Sequence, residues 1–186
     1  MKRALQYVAI VAGAVLVALA IQSWLVKPYR IPSESMVPTL RPGDRVLVDR
    51  VSYHLRDPER GDVIVFHYPE DPEVVFIKRV VGVPGDVLEV RNGRLYVNGE
   101  KAAEPYVRRT GGRLDPTVAQ AAVAGSTMHD PWSLAEPFRV PAASYFVMGD
   151  NRTDSDDSRD WGTVPRGAIV GEGLATYWPF SRLRAL

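Results

Sequence analysis

Residues 31–44 read IPSESMVPTLRPGD, with Ser33 and Ser35 one residue apart between Pro32 and Pro38. A proline fixes its own φ and restricts the residue before it, so this stretch is a stiff loop able to hold a serine in one orientation. A serine hydroxyl becomes a nucleophile only when a base takes its proton. The candidate base is Lys78, in VVFIKRVVGVPGD. Read as a strand, that run puts Val74, Phe76, Lys78 and Val80 on one face and Val75, Ile77, Arg79 and Val81 on the other. An ammonium between Phe76 and Val80 is desolvated, which lowers its pKa. Lysine can then lose its proton near neutral pH, whereas arginine stays charged. Only four of the 23 cations in this chain are lysines, so a lysine at that place is a choice with chemical content. Together the two residues could run nucleophilic catalysis by a base-activated serine.

A third segment, MGDNRTDSDDSRDWGTVP at 148–165, is dense in charge. Asp154, Asp156 and Ser158 alternate as in a calcium loop, but the loop glycine would fall at Arg159 and the terminal glutamate at Pro165, so that reading fails. The segment reads instead as Asp–Arg pairs locking a loop. The three histidines, His54, His67 and His129, are scattered without metal-ligand spacing, and no metal is expected. Cysteine is absent, which excludes a thiol nucleophile, a disulfide scaffold and a zinc–thiolate site. A formal net charge of +1 argues against a nucleic acid partner.

The elements that must position these residues are short and β-branched. Runs at 45–51, 62–68, 74–83, 86–90, 94–99 and 144–150 are separated by turns such as Pro42-Gly43-Asp44, Pro84-Gly85-Asp86 and Asn92-Gly93. Asn92-Gly93 between DVLEV and RLYV is a hairpin signal. The expected fold is mainly β: an N-terminal transmembrane helix followed by an all-β domain of many short strands. Residues 108–137 carry no strand pattern and read as an insertion, with alanines at 118–124 able to form one short helix.

The segment Ala4–Val26, ALQYVAIVAGAVLVALAIQSWLV, is uncharged. As a helix it spans roughly 34 Å, enough for a bilayer core of about 30 Å. Trp24 and Tyr29 suit the membrane–water interface. Ala18-Leu19-Ala20 also fits a cleavage site behind a basic start, but the apolar run continues through Val26, longer than a signal core. Residues 1–26 are therefore expected to be an uncleaved anchor in the lipid bilayer, and 27–186 the catalytic domain. Lys2 and Arg3 are balanced by Lys27 and Arg30. The free amino terminus tips the orientation toward an inside N-terminus, leaving the domain on the extracytoplasmic side of the cell membrane.

SMVPTL with its following PGD, RGDVIVF, FIKRVVGVPGD and GDNRTDSDDSRDWG occur in that order. This set resembles the bacterial type I signal peptidases, membrane-anchored Ser–Lys endopeptidases. The resemblance covers the anchor and roughly residues 30–50, 60–106 and 138–165. It implies Ser35 as nucleophile, Lys78 as general base, and an oxyanion hole made by the Ser33 hydroxyl and the Ser35 backbone N–H. It also implies that Ser155 hydrogen-bonds and orients the lysine, and that Arg79, Asp150, Asp157 and Arg159 form a supporting salt-bridge network. Phe76 stands where the family often has tyrosine, and residues 108–137 match no family motif. The implied substrates are signal-peptide-bearing preproteins with small residues at −1 and −3. Two shallow apolar pockets are then expected beside Ser35, with Ile31, Met36, Leu40 and Ile77 as candidate lining. No cofactor is required.

Two other readings use other residues. A Ser–His–Asp hydrolase would need one of the three histidines, yet none lies in the motif segments and no G-x-S-x-G elbow is present. An anchored β-barrel binding module would need none of Ser35, Lys78 and Ser155, so their joint presence favours the enzyme.

Overall fold

The computed structural model describes residues 6–7, 10–15, 25–107, 115–116 and 132–186. Most of the apolar run at 4–26, most of the expected insertion at 108–137, and His129 lie outside these residues. No helix among the described residues is long and apolar enough to cross a membrane. The fold is mainly β, built from two antiparallel sheets.

The larger sheet takes β1 (Val26–Arg30), β2 (Arg45–Asp49), β3 (Val63–His67), β4 (Val75–Gly82), then β9 (Ser144–Met148), β10 (Val164–Pro165), β11 (Ile169–Trp178) and β12 (Arg184–Ala185). Its order is β1-β2-β11-β3-β4-β9-β10, with β12 on β11. The smaller sheet orders β7 (Glu100–Lys101), β6 (Arg94–Val97), β5 (Val87–Arg91) and β8 (Phe138–Arg139). Two short helices, α1 (Ser52–Leu55) and α2 (Ser158–Trp161), flank the larger sheet.

Alternation decides where each side chain goes. On β3, Ile64 and Phe66 join one core with Tyr53, Val80, Val147 and Trp161. Val63 and Val65, on the opposite face, pack with Ile31, Met36, Leu40, Val46 and Val48. A third core, including Val81, Leu88, Leu95 and Phe146, joins the two sheets. Each fully buried side chain of this size contributes roughly 1.5–3 kcal/mol. The Asn92-Gly93 hairpin forms as expected, with both residues at positive φ (49° and 63°) between β5 and β6.

Val26, which the sequence assigns to the apolar run, instead opens β1, paired with Asp49. Pro28 is tolerated there because β1 is an edge strand. Part of the expected insertion is integral to the fold. Leu134 is fully buried in the third core, Trp132 packs on Phe138, and Asp115 is buried against Arg152.

Candidate active site

The loop between β1 and β2 is pinned at both ends. Ile31 N–H donates to the Asp44 carbonyl and Gly43 N–H to the Ile31 carbonyl, each at 2.9 Å. Met36 and Leu40 anchor its middle in the core. The Asp44 carboxylate holds its far end, accepting Arg41 N–H at 2.9 Å and two bonds from the Arg182 guanidinium. Burial pushes the Asp44 pKa up, but Arg182, the Arg41 N–H and Arg184 together outweigh it and hold the carboxyl below its usual range. Ser35 sits in this loop, 8% exposed.

Lys78 lies in the middle of β4, opposite Ile64 of β3, and is 5% exposed. Its Nζ donates to Ser35 Oγ at 2.7 Å. The Phe76 ring centroid is 5.6 Å from the same Nζ, on the face the alternation predicts. Burial pulls the Lys78 pKa below the ordinary lysine value; Asp157, Asp156 and Asp154 pull it back up, and Arg159 pushes it further down. The net direction is downward, toward a neutral amine able to accept a proton. Ser33 Oγ lies 3.3 Å from Ser35 Oγ.

The acidic segment after β9 closes the site from behind. Asn151 N–H donates to the Ser35 carbonyl at 3.0 Å, and Asn151 Nδ2 to the Glu34 carbonyl at 3.3 Å. Gly149 runs so close that a Cβ there would lie 2.4 Å from the Ser35 carbonyl oxygen and 2.3 Å from Ser155 Oγ. The four charged residues named for a supporting network fall into two ion pairs. Arg79 grips Asp150 through Nε and Nη2, each at 2.8 Å, donates to the Gly61 carbonyl, and stacks 4.0 Å from the Tyr106 ring. Arg159 grips Asp157 through Nε at 2.8 Å and Nη2 at 2.7 Å, and both side chains are fully buried. Asp157 also accepts Gly149 N–H at 3.0 Å and caps α2 through Arg159 N–H. Lys78 and Arg159 together hold its carboxyl below the usual range against the larger, opposing effect of burial.

Ser155 Oγ is buried and has no hydrogen-bond partner, so the orienting bond to Lys78 is not made in this structure. Arg152 is a residue the sequence reading missed. It is 3% exposed, donates to the Gly149 carbonyl at 3.0 Å, and pairs with Glu104 and Asp115. Its arginine stands within the charged motif, but its partners are 37 and 48 residues away and no local spacing links them.

A cavity of about 410 Å³ opens onto Ser35 and Lys78. Pro32 to Ser35 and residues 74–78 line it, together with Asp154 and Asp156. Of the four candidate pocket residues, Ile77 lines this cavity. Ile31, Met36 and Leu40 do not, because their side chains are 2% exposed or less and belong to the core under the loop. Burial and the Asp160 carboxyl push the Asp156 pKa up to about 6. His54 and His67 are exposed, and neither lines this cavity.

Residues 4–178 match the family model described as signal peptidase, peptidase S26. Signal peptidase I from Leptolyngbya laminosa is 39% identical over 180 residues, 93% of this chain and 79% of that protein. Signal peptidase IB from Staphylococcus aureus is 36% identical over 184 residues, 98% of this chain and 94% of that protein. A crystal structure of a signal peptidase I from Enterococcus faecalis superposes with a TM-score of 0.45 at 30% identity, covering 63% of this chain and 97% of that one. The chain belongs to the signal peptidase family, peptidase S26, and is a serine peptidase that cleaves signal peptides.

Proposed function

We propose that Ser35 is the nucleophile and Lys78 the general base of this peptidase. The observation that carries the reading is the 2.7 Å hydrogen bond between two side chains, 43 residues apart, that burial removes from water. Neutral Lys78 takes the Ser35 hydroxyl proton as Oγ bonds to the carbonyl carbon of the residue before the cleavage point. The tetrahedral oxyanion is held by the Ser33 hydroxyl and the Ser35 backbone N–H, at roughly 3–4 kcal/mol per donor. The ammonium then gives its proton to the leaving amine as the peptide C–N bond breaks. Water, deprotonated by Lys78, hydrolyses the resulting ester and returns the Ser35 proton. The Ser155 hydroxyl, buried and unpartnered, is a positioning group available to Lys78 while its bond to Ser35 is broken. Arg79–Asp150 and Arg159–Asp157 hold the two chain segments that carry these groups.

The substrates are preproteins whose signal ends in a small-x-small pattern. Ile77, whose side chain stands on the cavity wall, supports small side chains at −1 and −3. An extended substrate takes affinity from main-chain hydrogen bonds along the β4 edge of the cleft. Residues 4–25 anchor the chain in the membrane, with the sheet domain that begins at Val26 on the extracytoplasmic side. The length and uncharged composition of that run support the assignment.

Cleavage of an Ala-x-Ala peptide by variants tests the dyad. Ser35→Ala, Lys78→Ala and Lys78→Arg each abolish turnover and keep the fold, whereas His54→Ala, His67→Ala and His129→Ala retain it. Substantial activity in Lys78→Arg contradicts the assignment, since arginine cannot act as the base. Intact mass of the membrane-extracted chain tests the anchor: a mature N-terminus at Ile21 makes the segment a cleaved signal.

A further inference from the structure

A second cavity, of about 550 Å³, lies away from Ser35 and Lys78. Arg50, His54, His67 and Arg166 line it together with Tyr53 and Leu25, and no carboxylate is among its lining residues. Strand register fixes where it sits. Val26 pairs with Asp49 at the start of β1 and the end of β2. Ile169 pairs with Phe66, and His67 pairs with Val75. The end of the sheet that receives the N-terminal segment therefore also carries Arg50 and His67. Through Val74 and Val75, it carries one rim of the catalytic cleft as well.

The cations are placed to receive an anion. The Arg50 guanidinium is exposed and has no side-chain partner among the described residues, while its backbone N–H donates to the Leu25 carbonyl at 3.0 Å. Arg166 is fixed by Nη2 to the Tyr53 carbonyl and by Nε to Asp57 at 3.1 Å, leaving Nη1 unbonded. Asp57 is 82% exposed at the side chain and offsets only part of that charge. His67 Nδ1 is engaged with the Pro72 carbonyl at 2.7 Å, which leaves Nε2 free. Beside His54, Leu55 stands 86% exposed at the end of α1, and Leu25 is 39% exposed. Guanidinium groups with adjoining exposed leucines suit a phosphate that is attached to an acyl chain.

We propose that this cavity binds the phosphodiester of an anionic phospholipid headgroup and so seats the cleft rim against the membrane. The choice of a lipid over free phosphate rests on residues 4–25 being the anchor, because Leu25 is the last residue of that run before β1.

The test is an NMR titration of the full chain in neutral detergent, following the His54 and His67 ring signals. Dihexanoyl phosphatidylglycerol is expected to shift both saturably, and zwitterionic dihexanoyl phosphatidylcholine to shift them far less. Arg50→Gln raises the half-saturation concentration about fivefold, the effect of one arginine at an anionic surface. Arg91→Gln, on the smaller sheet and paired with Glu89, leaves it unchanged. Equal response to the two lipids, or no effect of Arg50→Gln, overturns the site. Inorganic phosphate saturating the signals at or below the lipid concentration overturns the lipid assignment and makes this a free-phosphate site. Arg50→Gln should also cleave a soluble peptide at the wild-type rate. A loss there overturns the separation of this site from the catalytic cleft. The anchor is checked apart from this: alkaline carbonate releasing the chain from membranes overturns the anchor, and with it the lipid as the source of the phosphate.

Discussion

Replacing Gly149 by alanine puts one methyl group between the two segments that define the active site. The new Cβ would lie 2.4 Å from the Ser35 carbonyl oxygen, 2.3 Å from Ser155 Oγ and 2.6 Å from Ser155 Cβ, where ordinary contacts are 3.4–4 Å. Ser155 can give way by rotating its hydroxyl, but the Ser35 carbonyl is backbone and is held by Asn151 N–H at 3.0 Å. Relief therefore requires the Ser35 backbone to move by about 1 Å, and a misplacement of that size costs about 100-fold in rate. Over-packing of this kind costs about 1–3 kcal/mol, a Tm lower by roughly 3–10 °C in a chain of this length. The assay is kcat/KM on a fluorogenic Ala-x-Ala peptide beside a thermal melt. Adding Ser155→Gly removes the Ser155 overlap and leaves the carbonyl clash, so the double variant should regain little activity. Activity of Gly149→Ala within about threefold of wild type refutes the claim that this backbone contact sets the position of Ser35.

Three further outcomes follow from the charges. Lys78→Met abolishes cleavage yet stabilises the domain at pH 6, because folding disfavours the buried ammonium. The penalty is complete below the lowered folded pKa and vanishes above the unfolded value near 10.5, so the gain fades by pH 11; denaturation midpoints across that range check it. Asp156→Asn removes a carboxylate that favours the Lys78 ammonium, so the acid limb of kcat/KM moves to lower pH. Its carboxyl pKa is raised in the fold, so its ionisation costs stability as pH rises from about 4 through about 6; the variant should gain stability at pH 8 and not at pH 3, read by melts at both. Asp150→Ala strands the Arg79 guanidinium, 7% exposed, and should destabilise by about 3–5 kcal/mol in a denaturant titration.

The segments that form the site were legible because their chemistry is local. The prolines around Ser35 mark a stiff loop, and strand alternation puts Phe76 beside Lys78. The resemblance named Arg79, Asp150, Asp157 and Arg159 as a network without saying which meets which; the pairing of Asp157 with Arg159 and of Asp150 with Arg79 is read from the structure. What escaped depends on long-range contact. β11, the longest strand among the described residues, reads poorly because Gly171 and Gly173 interrupt its pattern. Gly171 is there for packing, since a Cβ would lie 2.1 Å from the Asp49 carbonyl across the β2–β11 pair. No strand is expected from the sequence before residue 45, yet Val26–Arg30 pairs with β2 as an edge strand. Ile31, Met36 and Leu40 surround Ser35 in sequence, which makes them natural pocket candidates. They point instead into the core, because a loop must be anchored from below before it can present a serine above. Ser155, expected to bond Lys78, is buried without a partner.

The most direct test of the dyad is to catch its covalent intermediate. The wild-type chain is mixed with excess Ala-x-Ala peptide, quenched in acid during the first turnover, and examined by intact mass and peptide mapping. The expected result is an added mass equal to the amino-terminal peptide fragment less one water, esterified to Ser35. Lys78→Met should carry no adduct, because its serine is never activated. An adduct on any other residue, or rapid cleavage by Ser35→Ala, contradicts the assignment of Ser35 as the nucleophile.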